Sequence, residues 1–436
     1  MKKIRVGVLG AYRGTSMINY CKRADNAEVV AICDKLPEAL EAQRRNAEGL
    51  NIAFYDNFND FIKHDMDAVV LANYANEHAP FAIEAMNRGI HVFSEVLPVQ
   101  TMKEAVEIIE TVEKTGMVYA YGENYCYMPA PYEMKKLYGQ GVLGDLEYAE
   151  CEYIHNCDSI WPSITYGEKD HWRNNMYSTF YCTHSLGPII HATGLRPVSV
   201  IGIESTKNDR HLAGGAKSGL FGIEMVTLEN GAIVKSIHGG LYKNSIWYTM
   251  YGNKGRAECA REDSPEGHID RIYLRADEYP RGYETEKFKS YLVEVDKEKT
   301  EGFGHGGSDF FSMYHFIEKI KGNPDADIID VYEAMDMFLP GMFAYRSILD
   351  GNIPKEIPNL RDKAVRDIWR NDTACTDPKT AGDMLLPTTS KGTPDIDDAV
   401  YEHVKQLWDD ACNSGTLTGY RAAAFNQGSK SFKEKI

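Results

Sequence analysis

Ile4-Arg5-Val6-Gly7-Val8-Leu9-Gly10-Ala11-Tyr12-Arg13-Gly14 is the stretch whose reading decides the fold. A short β-rich apolar run stops at a glycine turn, and Ser16, Met17, Tyr20 and Arg23 then continue in a helical pattern. Glu28-Val29-Val30-Ala31-Ile32-Cys33 follows as a second strand, closed by Asp34. Strand, glycine turn, helix, strand and terminal acid form the opening unit of a dinucleotide-binding Rossmann fold. Gly10 lets the chain turn, Arg13 stands on the same turn, and Gly14 lets the helix start approach a pyrophosphate on free backbone N–H groups. Counted from Gly10, Tyr12 and Thr15 take the places of the second and third glycines, so the fingerprint is incomplete. Asp34 is placed to accept hydrogen bonds from a ribose 2′-hydroxyl; a 2′-phosphate would meet like charge there, so NAD is favoured over NADP. Lys35 beside it softens that preference, and a strand end that merely favours Asp is the plainer reading.

The alternation continues outward. Ala68-Val69-Val70-Leu71-Ala72 reads as a buried strand, residues 79–88 as a helix stopped by Gly89, and Ile90-His91-Val92-Phe93-Ser94 as the next strand. Thr101 caps a helix over 101–114 with Gly116 behind it, and 117–121 is another strand leading into Gly122-Glu123-Asn124. Ligands of such sheets bind at the carboxyl ends of the strands. Those ends carry Asn73, His78, Glu95, Glu123 and Asn124, so Asn73, His78, Glu95 and Asn124 join Gly10, Arg13, Gly14 and Asp34 as expected cofactor contacts.

Near Asp145 the βα alternation gives way to β-like runs at 146–155, 198–203, 222–228, 232–238 and 245–251, separated by turn signals such as Glu229-Asn230-Gly231. The fold class expected is α/β: a Rossmann domain over 1–125, then an α+β domain over 126–372 with an open, mostly antiparallel sheet. Gly304-His305-Gly306-Gly307-Ser308-Asp309 introduces helices to about residue 351, with Asp309 read as a helix cap or as a residue of the site. A Pro-, Thr- and Asp-rich extension, 373–436, contains a helix near 397–412 and is expected to pack on the body or on a neighbouring subunit.

A formal charge of −16, from 48 basic and 64 acidic residues, argues against nucleic acid or an anionic membrane as partner. With no apolar signal core and no apolar run long enough to span a bilayer, a cytoplasmic location is expected. The 9 cysteines are odd in number and scattered, unlike a disulfide framework. Cys151, His155 and Cys157, with Cys182 and His184, lack the spacing of a zinc template, so no metal is expected.

Tyr181-Cys182-Thr183-His184-Ser185-Leu186-Gly187-Pro188 sets a phenol and an imidazole on one face of a helical turn, where both can move protons at one small molecule. Tyr153 and His155 alternate along a strand and share a face. The bland reading of the first pair is a buried Tyr and a capped His at a helix start.

With Asn73 to His78 and Gly89-Ile90-His91-Val92-Phe93-Ser94-Glu95, the first domain resembles the glucose–fructose oxidoreductase / inositol dehydrogenase superfamily. That superfamily usually has Glu-Lys-Pro next, with the lysine beside the nicotinamide; this chain has Glu95-Val96-Leu97-Pro98. The NAD-dependent α-N-acetylgalactosaminidases, a glycoside hydrolase branch with Glu-Val-Pro there, look closer, and Tyr181 to Pro188 is the most specific piece of the resemblance. Leu97 is an insertion relative to that branch, and the Arg173–Tyr181 spacing is shorter than usual. The resemblance implies retained NAD, hydride abstraction at C3 of a sugar, elimination across C1 and C2, water addition and hydride return. It implies catalytic roles for Tyr153, His155, Tyr181 and His184, with Glu95, Trp172 and Arg173 binding the substrate. His184 would act at the oxidised hydroxyl, Tyr153 near C2 and His155 near the leaving group, while Arg173 would take a polar or anionic substituent such as a sulfonate or uronate. The alternatives are an NAD-dependent sugar or glycoside dehydrogenase giving a 3-keto product, and a non-catalytic NAD-binding regulator. A small glycoside is the expected partner, with homo-oligomerisation through the C-terminal sheet.

Overall fold

The computed structural model describes residues 2–261, 270–277 and 286–414. Strands β1 (Ile4–Leu9), β2 (Ala27–Cys33), β3 (Ala53–Tyr55), β4 (Ala68–Leu71), β5 (His91–Ser94) and β6 (Tyr119–Tyr121) form one sheet in the order β3-β2-β1-β4-β5-β6. Every pairing in it is parallel. Val6, Val8, Val69 and Val70 are fully buried because helices cover both faces, which is why these strands read as unbroken apolar runs. The strand order reverses between β1 and β4, and that reversal opens a crevice at the carboxyl ends. The helix Met102–Thr115 starts at the expected Thr101, which forms a capping box with Glu104, and stops at Gly116 in the left-handed region.

Two glycines of the first turn have different tasks. Gly10 has φ 96°, and a Cβ there would lie 2.2 Å from the Ala72 carbonyl oxygen. A Cβ on Gly14 would meet the Gly10 carbonyl oxygen at 2.4 Å and Val8 Cγ1 at 2.5 Å. Gly14 therefore serves close packing of the helix Thr15–Arg23 on β1.

The second sheet contains β7 (Leu146–Ile154), β8 (Pro197–Glu204), β9 (Phe221–Leu228), β10 (Ile233–Gly239), β11 (Ser245–Gly252), β12 (Gly255–Cys259), β13 (Arg271–Asp277), β14 (Glu286–Leu292) and β15 (Lys355–Glu356). Their order is β14-β13-β12-β11-β7-β10-β9-β8-β15. All neighbours are antiparallel except β7 and β10, which run parallel. The sheet is thus mostly antiparallel, as expected, but it is two meanders joined by β7 rather than one.

The helix Thr183–Thr193 lies on the inner face of this sheet, with Ser185 hydrogen-bonded to Ser236 of β10 at 2.8 Å. The helix Val331–Leu349 packs on β8 so closely that a Cβ on Gly202 would sit 2.1 Å from the Ala344 carbonyl oxygen. The extension contributes a helix, Asp398–Ser414, seated with Tyr401, Val404 and Trp408 inward; residues 415–436 lie outside the described ones. All nine cysteines are free thiols. Among the described residues no helix is long and apolar enough to cross a membrane, and no cluster of His, Cys, Asp and Glu could hold a metal ion.

Candidate active site

A cavity of about 800 Å³ runs from the carboxyl ends of the parallel sheet to the helix Thr183–Thr193. At the sheet end it is lined by Gly10, Asp34 and Asn73. Asp34 Oδ2 accepts the Ala11 N–H at 2.7 Å and Oδ1 accepts the Leu36 N–H at 2.9 Å, which fixes the carboxylate at the mouth of the turn. Asn73 donates from Nδ2 to Glu77 at 2.8 Å, and its buried Oδ1 has no partner. A tight turn at Gly10 on the cavity wall, a carboxylate ending β2 and an orphaned amide oxygen at the end of β4 fit a dinucleotide.

His78 and Gly14 do not line this cavity. His78 is 1 % exposed and shares a 3.0 Å hydrogen bond through Nδ1 with the Leu97 carbonyl, so it shapes the loop behind the wall. Leu97, the residue that interrupts the resemblance, is itself buried, and the Glu95-Val96 pair reaches the cavity. Burial pushes the His78 imidazole down to about 4 against weaker support from backbone carbonyls. A histidine ordinarily titrates near 6.5, so between those values the unfolded chain binds the proton that the native state refuses. The stability tied to His78 is complete above about pH 6.5 and is lost as pH falls toward about 4. Thermal unfolding midpoints should drop over that window, and His78→Asn should flatten the drop; an unchanged slope would remove His78 as its source.

Arg13 and Asn124 line the cavity, and both converge on Asp309. Arg13 makes a two-pronged contact with Asp309 at 2.9 and 3.0 Å and reaches Glu95 at 2.7 Å. Asn124 donates to Asp309 Oδ1 at 3.0 Å, and His305 lies 3.3 Å from the same carboxylate. Burial alone would raise Asp309, but Arg13 and His305 hold it well below the usual carboxylate range. Burial pushes Glu95 up to about 7 against the pull of Arg13, with Asp309 adding to the rise. Asp309 is not a helix cap: Gly307 occupies that position of Ser308–Ile320, and Asp309 is turned inward with no exposure. It binds the first turn of the Rossmann domain to the second domain.

At the far end the expected proton-handling residues meet. Tyr181 precedes the helix by two residues, and its ring lies 5.1 Å from His184. Tyr153 is 4.6 Å from His184 and 6.4 Å from Tyr181 by ring centroids. Tyr153 Oη and His155 Nδ1 share a 3.0 Å hydrogen bond. Burial, reinforced by His184, His305 and Arg173, pushes His155 down to about 4, so at neutral pH it is an uncharged acceptor for the phenol proton. Burial raises Tyr181 while Arg173 opposes the rise. Arg173 lies over the Trp172 ring at 4.4 Å and 5.7 Å from the Tyr181 ring.

His184 is backed by a residue that sequence reading placed only at a strand end. Glu123 Oε1 lies 2.6 Å from His184 Nδ1 and also accepts the Tyr125 N–H at 3.2 Å. The carboxylate oxygen accepts in this contact, so Nδ1 is the donor and Nε2 is the ring nitrogen left for chemistry. The helix has a second anchor. Pro188 has no N–H for the His184 carbonyl four residues back, and the buried Tyr248 hydroxyl donates to that carbonyl instead. A further imidazole on the cavity wall, His238, leans on buried Glu224 at 3.2 Å. Gly122-Glu123-Asn124 at the end of β6 was the one local signal for Glu123; nothing local marks His238.

Residues 4–123 match the oxidoreductase family, NAD-binding Rossmann fold, and residues 266–366 match the glycosyl hydrolase 109 C-terminal domain. A glycosyl hydrolase family 109 protein of Solibacter usitatus is 26% identical over 393 residues, spanning 82% of this chain and 88% of that protein. Glycosyl hydrolase family 109 protein 1 of Phocaeicola vulgatus is 26% identical over 399 residues, spanning 82% and 84%. Among solved structures, an Agrobacterium radiobacter oxidoreductase in complex with NAD+, L-tartaric acid and magnesium superimposes with a TM-score of 0.67 at 13% identity, covering 82% of this chain and 99% of that one. Myo-inositol 2-dehydrogenase from Lactobacillus plantarum gives 0.64 at 18% identity, covering 82% and 100%. The dinucleotide that the first domain takes is NAD.

Proposed function

We propose that this enzyme, which joins an NAD-binding Rossmann domain of the oxidoreductase family to a glycosyl hydrolase 109 C-terminal domain, hydrolyses a glycoside by a route with no net oxidation. The observation that carries the reading is the meeting of two proton-handling dyads, with His184, Tyr153 and His155 on one cavity wall and Glu123 buried behind His184. NAD, when bound, supplies a hydride acceptor and then donor at C3 of the sugar. His184 Nε2 takes the proton of the C3 hydroxyl, and Glu123 steadies the imidazolium that results. The ketone at C3 acidifies the C2 proton. Tyr153 removes it as its own phenol proton passes to neutral His155, and His155 hands that proton to the departing C1 substituent. Water adds at C1 and yields a proton to His155, and Tyr153 returns a proton to C2. Once the hydride is back on C3, His184 returns the proton to its oxygen, so the sum is hydrolysis.

Arg173 supports a polar or anionic sugar substituent. Among the described residues no carboxylate lies within ion-pair distance of it, and Trp172 and Tyr181 flank it in the cavity wall. The candidate substrates are an α-N-acetylgalactosaminide and a sulfonated or uronic glycoside. Arg173→Met should raise KM by about ten- to a hundredfold while moving kcat far less, since a hydrogen bond to a charged group contributes about 1.5–3 kcal/mol. An unchanged KM for the best substrate would place that substituent elsewhere.

Hydrolysis in deuterium oxide tests the route. Elimination and reprotonation leave deuterium at C2 of the product sugar, visible by proton NMR; retention of the original C2 hydrogen would contradict it. The expected second copy of this chain has a surface to use on the outer face of the second sheet. Ile203 and Ile233 stay 48 % and 43 % exposed there, on the same face as Ile223 and Ile237. Light scattering should return a mass of two or more chains, and a monomer mass would refute that assembly.

A further inference from the structure

We propose that the C-terminal helix Asp398–Ser414 forms a wall of the adenosine half of the NAD site and retains the cofactor through turnover. The inference rests on NAD binding and is independent of which sugar is cleaved. The helix lies beyond both matched family segments, which end at residues 123 and 366.

Its docking place identifies its partner. Trp408 meets Tyr166 edge-on at 5.3 Å, and Tyr166 stacks with Tyr74 at 6.4 Å and 18°. Leu36, Tyr74, Ala411 and Cys412 pack into the same cluster. The Lys35 ammonium sits 3.8 Å over the Tyr74 ring and 3.7 Å from Glu168, whose other oxygen accepts the Tyr74 hydroxyl at 3.0 Å. Lys35 and Leu36 directly follow Asp34 at the end of β2, and Tyr74 directly follows Asn73 beyond β4. In this fold the ribose that bears the adenine lies beside that acid, at the ends of those strands.

The contact is tight. A Cβ on Gly167 would lie 2.4 Å from the Lys405 backbone nitrogen, and one on Gly215 would lie 2.7 Å from the Tyr401 ring. Tyr401 donates to the Gly215 carbonyl at 3.2 Å, and Lys169 pairs with Asp398 at the helix start. His403, Val404 and Leu407 line the same cavity as Asp34. Leu407 keeps 44 % of its surface exposed, an apolar area that a nucleobase face would cover.

A helix packed against the bound adenosine adds contacts that a departing dinucleotide has to break. A dehydrogenase that released NADH at every turnover would be slowed by it. An enzyme that returns its hydride in each cycle has no need for the exchange, so the wall matches a redox-neutral reaction and disfavours net oxidation.

Hydrogen–deuterium exchange of the full chain, read by mass spectrometry, tests the placement with three probes: NAD, adenosine diphosphoribose and nicotinamide mononucleotide. NAD and adenosine diphosphoribose should slow exchange across 398–411, and nicotinamide mononucleotide should not. Leu407→Asp, a substitution on the exposed side, should speed loss of radiolabelled NAD by about tenfold or more while circular dichroism stays unchanged. Unaltered exchange in the helix with NAD saturating by calorimetry would overturn the proposal, as would a parental NAD off-rate in Leu407→Asp. Absence of NAD from an acid extract of the purified protein together with absence of NAD binding by calorimetry would bring down the cofactor assignment and this proposal together. A negative hydrolysis assay would leave it standing.

Discussion

His184→Ala is expected to lower kcat by about a thousandfold or more, and Glu123→Gln by about a hundredfold with KM nearly unchanged. The two magnitudes differ because the two residues act differently. His184 borders the cavity, and its removal deletes the group that takes the C3 hydroxyl proton. Glu123 is fully buried behind it and is hydrogen-bonded to Nδ1 of the ring and to the Tyr125 N–H. An amide at that place keeps the shape but no longer dictates the tautomer and cannot balance an imidazolium, so the base is left in the wrong protonation state part of the time. The diagnostic readout is the pH profile of kcat/KM: Glu123→Gln should alter it, which a merely structural role would leave in place. Full kcat with an unchanged profile would dismantle the dyad.

The second large effect concerns stability. Arg13→Met should cost about 3–5 kcal/mol, because it strips the cation from two buried carboxylates at once. Asp309 has no exposure and Glu95 has 5 %, and Arg13 reaches both within 3.0 Å. Without it Asp309 retains Asn124 and His305, whereas Glu95 loses the partner that opposes its rise to about 7. The double substitution Arg13→Met with Asp309→Leu should be less destabilised than the sum of its parts, since the unpaired charge goes with its partner. Urea unfolding of the singles and the double reads the coupling. Strict additivity would mean that the pair does not join the domains energetically.

Local sequence carried most of the first domain. β1, the glycine turn, the helix and β2 with its terminal Asp34 all announce themselves within a few dozen residues, and so do the cap at Thr101 and the stop at Gly116. Ala53–Tyr55 escaped because three residues show no alternation. The strands β12 to β14 escaped because Arg256, Glu258, Arg271 and Lys289 interrupt their apolar pattern at a sheet edge. The parallel insertion of β7 between two meanders is a tertiary fact with no local mark.

The same limit governs the site. Tyr181 with His184, and Tyr153 with His155, were readable because their spacing is that of one turn and one strand face. The Glu123–His184 contact spans 61 residues and the Arg13–Asp309 contact spans 296, so no spacing rule reaches either. The stripe of Tyr401, Val404 and Trp408 shows that the last helix has a buried side. Only the fold shows that this helix ends up over Leu36 and Tyr74.

The most direct measurement follows p-nitrophenyl glycosides, an α-N-acetylgalactosaminide and sulfonated and uronic sugars among them, with nitrophenol absorbance and NADH fluorescence recorded together, with and without added NAD. Nitrophenol release with no lasting NADH signal is expected, lost in His184→Ala and in Tyr153→Phe. Stoichiometric NADH with the aglycone still attached would contradict it and identify a glycoside dehydrogenase giving a 3-keto product.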